Sequence, residues 1–117
     1  MLTCRGGGGA YADDVADFGT PKVYYVVQMT TRFSSMQEVM RAAPEQLAAH
    51  VARSGEFHDR GELLMAGAFL DNGDDPVSTM GVLVTRAAAE QFAEGDPFVL
   101  IGMISEWRIR EWSNIFA

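Results

Sequence analysis

The sequence predicts an α+β fold in which an antiparallel sheet carries its helices on one face, and three observations predict it. Strand-like stretches flank two helical ones in the order β-α-β-β-α-β, with one extra helical turn before the final strand. The helical stretches are bounded by capping residues and glycine stops, and the middle strands are joined by dense turn chemistry. That order fits a ferredoxin-like layer of four antiparallel strands. One sheet face is then left for a second copy of the chain, so a homodimer packed sheet to sheet is expected.

Each element has its own warrant. The first strand is Val23-Tyr24-Tyr25-Val26-Val27-Gln28-Met29-Thr30, rich in β-branched and aromatic residues and expected to be buried on both faces or nearly so. Ser35-x-x-Glu38 is a capping-box pattern opening a short helix through about Ala42. Pro44 suits the first turn of the main helix, roughly 44–60, with Glu45 favourable at its N-terminus and Gly61 as its stop. Leu47, Val51, Ser54 and His58 form one stripe of that helix, and His50 and Phe57 the adjacent one. Leu63 to Leu70 reads as the second strand, with Gly67 marking a bulge or a close backbone approach. Asp71-Asn72-Gly73-Asp74-Asp75-Pro76 is the turn, and Thr79 to Thr85 the third strand. Ala87 to Glu94 is an alanine-rich helix closed by Gly95. Asp96-Pro97 places an N-cap before a proline at the first helical position, opening one turn through Ile101, and the last strand runs from about Met103 to Trp112.

Composition narrows the function. At 117 residues the chain is a single domain, read as a flexible Gly- and Asp-rich leader over 1–20 followed by one folded unit over 21–117. Nine basic residues against sixteen acidic ones leave a formal charge of −7, which disfavours a phosphate backbone as partner. No apolar run approaches the roughly 20 residues of a bilayer helix. The single Cys4 provides neither a disulfide framework nor a thiolate cage and suits a reducing, cytoplasmic setting. No metal-binding spacing, dinucleotide fingerprint or phosphate loop is present, so neither a metal nor a cofactor is expected.

Two residues stand out chemically. His50 sits mid-helix beside the apolar stripe, where its ring can point into the domain and act as a general base near neutrality; it can equally be a core histidine satisfied by a backbone carbonyl. Asp96 before Pro97 caps a helix, which alone would account for it, yet a capping carboxylate can also face inward and orient an imidazole. Spacing does not show whether the two meet, although both helices share one face of the sheet. His58 reads as a helix-end residue favourable to the C-terminal dipole. Ser54 stands four residues from both histidines, and nothing else suggests a serine nucleophile.

Three stretches resemble the YCII-related proteins: His50-x-Ala52-Arg53-x-Gly55-Glu56-Phe57-His58-Asp59-Arg60-Gly61; Leu63 to Gly67 with Phe69-Leu70-Asp71; and Gly95-Asp96-Pro97-Phe98-Val99 leading to Gly102 and a strand ending near Trp112. The resemblance covers about residues 22 to 113. It implies a dimeric α+β barrel of ferredoxin-like subunits in which His50 and Asp96 form a His-Asp dyad, and a small cofactor-free enzyme. One branch of the family eliminates chloride from a chlorinated hydroxyquinol. Gly67, Phe69 and Phe98 are then expected at the substrate. Two departures stand out. Many members carry Arg three residues before the histidine, where this chain has Leu47, and Pro after the strand glycine, where it has Ala68. The first removes an anion-binding group; Arg53, one turn after His50, is the cation that could replace it.

The expected function is proton transfer by His50, with Asp96 fixing its tautomer, in a lyase or isomerase acting on a small cyclic or phenolic molecule. A non-catalytic ligand-binding or pathway-assembly module of the same fold is the alternative. Cofactor-free oxygenation is a third possibility without independent support in the sequence.

Overall fold

A computed structural model describes residues 22–116; the expected leader over 1–20, Cys4 included, lies outside the described residues. The elements run β1 (Lys22–Thr31), α1 (Met36–Ala42), α2 (Pro44–Asp59), β2 (Leu63–Ala68), β3 (Ser78–Leu83), α3 (Arg86–Glu94), α4 (Pro97–Leu100) and β4 (Ile104–Asn114). The sheet has the order β2-β3-β1-β4, and every neighbouring pair is antiparallel. The ferredoxin-like arrangement expected from the element order is therefore the observed one.

The helix ends follow their local chemistry. Ser35 caps α1 by accepting from the Glu38 N–H at 3.0 Å. The reciprocal half of the capping box is displaced by one residue, since Glu38 Oε1 accepts from the backbone N–H of Ser34 at 2.6 Å and from its hydroxyl at 2.8 Å. These bonds hold the Glu38 carboxyl below the ordinary carboxylate range. Pro44 opens α2, and Gly61 follows it at φ 79°, a left-handed position that suits glycine. Thr85 caps α3 by accepting from the Ala88 N–H.

Alternation along the strands separates the two sheet faces. Val27, Met29 and Leu83 point toward the helices and pack with Phe57, Leu63, Ala89 and Phe92 in the main core. A second cluster of Phe33, Val39, Ala43 and Phe98 seals the end of the sheet beneath α1 and α4. Val26 and Val82, which are paired on the opposite face, are also buried, while Met65 and Trp112 are exposed toward its two edges. The central pair Val26 and Val27 is thus buried on both sides, as the apolar run of β1 predicts.

The second strand differs from its expected form. It ends at Ala68, two residues early, and its irregularity lies between Leu63 and Met65 rather than at Gly67. Gly67 pairs regularly with Met80, and a Cβ there would touch nothing within 4 Å. Leu64 is the extra residue, so Leu63 can enter the core while Met65 turns to the other face.

Candidate functional site

A cavity of about 340 Å³ opens between α2 and the helix-facing side of the sheet. Helix periodicity builds one wall: Leu47, His50, Val51 and Ser54 line it at spacings of three, one and three residues along α2. Val27 and Met29 of β1, with Thr79 and Gly81 of β3, form the floor, and Phe33 and Phe98 close one end. These two rings meet edge-on with centroids 5.8 Å apart. Such a volume lies at the small end of the range for small-molecule sites.

His50 and Asp96 meet at this cavity. His50 Nδ1 is 2.5 Å from Asp96 Oδ1, and the imidazole lies against the Phe98 ring with centroids 5.5 Å apart. The aspartate is 1 % exposed. Its other oxygen, Oδ2, accepts the Phe98 N–H at 3.0 Å and so caps α4. The capping and imidazole-facing positions, which the sequence allows together, are thus taken by separate oxygens of one carboxyl group. Among the described residues His50 Nε2 has no hydrogen-bond partner, and the ring retains partial solvent access.

The remaining polar groups divide into committed and available ones. Thr31, buried at the cavity wall, donates to the Val77 carbonyl at 2.8 Å and accepts from the Phe33 N–H at 3.1 Å. Ser54 and Thr79 line the cavity without such bonds among the described residues. Among the described residues His50 and Asp96 are the ionisable ones of the lining, with no lysine or arginine beside them.

The expected substrate contacts fall in different places. Gly67 and Phe98 line the cavity, whereas Arg53 and Phe69 lie outside its lining. Phe69 sits just past the end of β2 and is 43 % exposed. Arg53 is turned toward α3, where Nη1 donates to the Phe92 carbonyl at 2.9 Å and Nη2 to the Gln91 carbonyl at 2.6 Å. Its guanidinium is occupied there, which leaves the cavity without the cation considered as a replacement for the family arginine. Thr31, Ser54 and Thr79 are lining residues that sequence reading did not single out as ligand contacts. Ser54 had a usable signal, its place one turn after His50 on the adjacent stripe. The strand threonines had only their inward parity. His58 is exposed at the far end of α2, with Nδ1 2.8 Å from the Leu63 carbonyl, consistent with a helix-end role.

Among the described residues no cluster of three or more His, Cys, Asp or Glu side chains could hold a metal ion, and no helix is long and apolar enough to cross a membrane.

Comparison with known proteins places the architecture. The 5-chloro-2-hydroxyhydroquinone dehydrochlorinase TftG from Burkholderia phenoliruptrix, solved with 2,5-dihydroxybenzoquinone, is similar at a TM-score of 0.56 and 18 % identity, covering 76 % of this chain and 92 % of that one. The protein PA3566 from Pseudomonas aeruginosa has a TM-score of 0.47 at 16 % identity, with 85 % and 98 % of the two chains covered. SnoaB, a cofactor-independent oxygenase from Streptomyces nogalater, has a TM-score of 0.41 at 14 % identity, covering 80 % and 92 %. At these identities the likeness to the Burkholderia protein shows the fold. No functionally curated protein matches the sequence significantly. Residues 23–113, most of the sequence, match the YCII-related domain, and the chain belongs to the YCII-related family.

Proposed function

We propose that this protein is a cofactor-independent enzyme that moves a proton on a small cyclic or phenolic molecule, with His50 as general base and acid and Asp96 as its orienting partner. One observation carries the reading: a histidine on the wall of an apolar cavity, with Nδ1 held 2.5 Å from a buried carboxyl group and Nε2 without a partner among the described residues.

The chemistry follows from what each group can donate or accept. The Phe98 N–H donates to Asp96 Oδ2, and a carboxylic acid is a far stronger acid than an imidazolium, so the group serves as a carboxylate that accepts on both oxygens. The proton between Oδ1 and the ring then belongs to Nδ1, and the neutral imidazole presents a lone pair on Nε2. When Nε2 takes a proton from substrate, the resulting imidazolium faces the Asp96 charge. In an elimination the C–H pair becomes the new double bond, and the leaving group departs with its own bonding pair. Returning the proton at a neighbouring carbon gives an isomerisation instead. The lyase direction is the one named for the dehydrochlorinase of the same fold.

The lining suggests the substrate's charge. With no lysine or arginine at the wall and the Asp96 carboxylate beside it, the cavity favours a neutral ring over a carboxylate. Gly67 admits a ring edge over the sheet, and Phe98 offers a face for it to pack against. The reading includes a cytoplasmic homodimer that packs through the sheet face opposite the helices. Its expected signature is twice the chain mass by light scattering.

A thermal-shift screen with small phenols, quinones and lactones tests the proposal, followed by turnover assays on the compounds that bind. Stabilisation in the wild type that is absent in His50→Ala locates the site. Turnover lost in His50→Ala supports catalysis. Binding without turnover supports the ligand-binding module, and turnover undiminished in His50→Ala refutes the assignment.

A further inference from the structure

We infer that Arg53 is a positioning residue for the His50–Asp96 pair: its guanidinium ties α2, the helix that carries His50, to the end of α3 immediately before Asp96. The tie itself is a statement about geometry. Its catalytic consequence rests on the proton-transfer reading above.

The geometry consists of two parallel links. His50 reaches Asp96 from α2, and three residues later Arg53 reaches the Gln91 and Phe92 carbonyls in the last turn of α3. Carbonyls at a helix C-terminus lack onward intrahelical partners and attract cations. Here the Gln91 carbonyl also accepts the Gly95 N–H at 3.1 Å, and the Asp96 N–H points at the Ala93 carbonyl at 3.3 Å. The chain therefore leaves α3 through a turn that the guanidinium grips from one side. Phe57, one turn further along α2, completes the grip, with its ring centroid 4.9 Å from Arg53 Cζ.

Gly95 shows how close the grip is. Its φ of −99° is open to any residue, so conformational freedom does not account for glycine there. Space does. A Cβ at Gly95 would lie 2.5 Å from Arg53 Nη2, 3.1 Å from Cζ and 3.3 Å from the Gln91 carbonyl oxygen. The guanidinium fills the position that a side chain at residue 95 would need, beside the residue that orients the imidazole. Arg53 and Gly95 thus act as one device, a clasp that sets where Asp96 stands relative to His50.

The test reads the His50–Asp96 hydrogen bond directly in the full chain, using imidazole NMR and no ligand. The variants are Arg53→Met, which keeps an aliphatic stem over Phe57, Arg53→Lys, Gly95→Ala, and the double substitution of Arg53→Met with Gly95→Ala. The expected result is that Arg53→Met and Gly95→Ala each raise the solvent-exchange rate of the His50 Nδ1 proton by about tenfold or more. Arg53→Lys, which can reach one carbonyl but not both, should recover part of the protection. In the Arg53→Met background Gly95→Ala should add much less than it does alone, because the guanidinium it collides with is gone and only the 3.3 Å approach to the Gln91 carbonyl oxygen remains. If Arg53→Met lowers the melting temperature while His50 Nδ1 protection is unchanged, Arg53 is merely structural and the inference is overturned. Additive effects of the two substitutions would overturn it as well. Because no turnover is measured, the clasp stands or falls separately from catalysis. Once a substrate is in hand, Arg53→Met should lower kcat with little change in KM.

Discussion

Replacing Asp96 by asparagine should separate the two duties of this side chain, because an amide cannot perform both. In the wild type Oδ2 accepts the Phe98 N–H and Oδ1 faces His50 Nδ1, so the site requires an acceptor at each end. An asparagine has one oxygen and one NH2. With its oxygen on the Phe98 N–H, the NH2 confronts His50 Nδ1, which must then accept, and the ring proton moves to Nε2. The reverse orientation sets the NH2 against the buried Phe98 N–H, donor to donor, so the first is favoured. Asparagine is as good an N-cap as aspartate, and the change exchanges a charge-assisted bond for a neutral one while relieving the burial of a carboxylate. The net loss of stability should therefore stay within about 2 kcal/mol. Asp96→Ala should cost more, about 1–3 kcal/mol for the buried Phe98 N–H that loses its cap, with the bond to His50 Nδ1 lost in addition. At roughly 4–8 °C per kcal/mol for a domain of this size, the two variants should be distinguishable in a melting experiment. Long-range proton–nitrogen correlation spectra, recorded where the ring is neutral, should find the proton on Nδ1 in the wild type and on Nε2 in Asp96→Asn. Turnover should fall by about 10²–10⁴ in a variant that remains folded. A folded Asp96→Asn that keeps the Nδ1 tautomer, or full activity, would refute the reasoning.

Two further outcomes follow from particular side chains. Glu38 is held below its ordinary range chiefly by the Ser34 N–H and then by the Ser34 hydroxyl, so the unfolded state binds its proton more readily than the folded one. The stabilisation is present above the ordinary carboxylate range and is lost as pH falls through the lowered folded value; Glu38→Gln should flatten that part of the urea-midpoint profile, and an unchanged slope would discount the bond. Leu47→Arg restores at the cavity wall the cation that many family members carry three residues before the histidine. It should tighten benzoate binding by roughly 10–100-fold over wild type while leaving phenol little affected, read by thermal shift against concentration.

Much of the scaffold is legible in the sequence because its ends are marked by side-chain chemistry. Ser35, Pro44, Gly61, Gly95 and the Asp96-Pro97 pair each stand at an observed helix boundary, and these boundaries determine where His50 and Asp96 sit. Less legible are features set by neighbours in space. Gly67 attracts a bulge assignment because glycine weakens strands, yet the extra residue is Leu64, and only pairing with β3 reveals it. Arg53 lies about 60° round the helix from His50 at 3.6 residues per turn, close enough to share its wall. Its long side chain reaches instead to carbonyls at the end of another helix, a destination with no signature in local sequence. Phe69 has the right residue type and neighbourhood for a pocket wall, but β2 stops at Ala68 and the ring is 43 % exposed.

The double use of Asp96 bears on how so small a domain can house the proposed active site. A buried carboxylate is costly unless its oxygens are satisfied, and a site built only for chemistry would need extra residues to satisfy them. Here the cap of a one-turn helix provides the first partner and the imidazole provides the second, so the carboxyl group that faces His50 is already part of the fold. The same economy appears on the other side of the pair. His50 lies beside the stripe of Leu47 and Val51, which line the cavity with it, and Arg53 donates to two carbonyls in the last turn of α3. If His50 and Asp96 act as proposed, function and stability are coupled at these positions. On the proposed reading, a substitution at Asp96, Gly95 or Arg53 should change the junction between α3 and α4 as well as the hydrogen bonding of His50. Activity alone cannot separate the two effects, whereas the protonation state of His50 can, since a loosened fold and a misdirected proton leave different signatures on its two nitrogens.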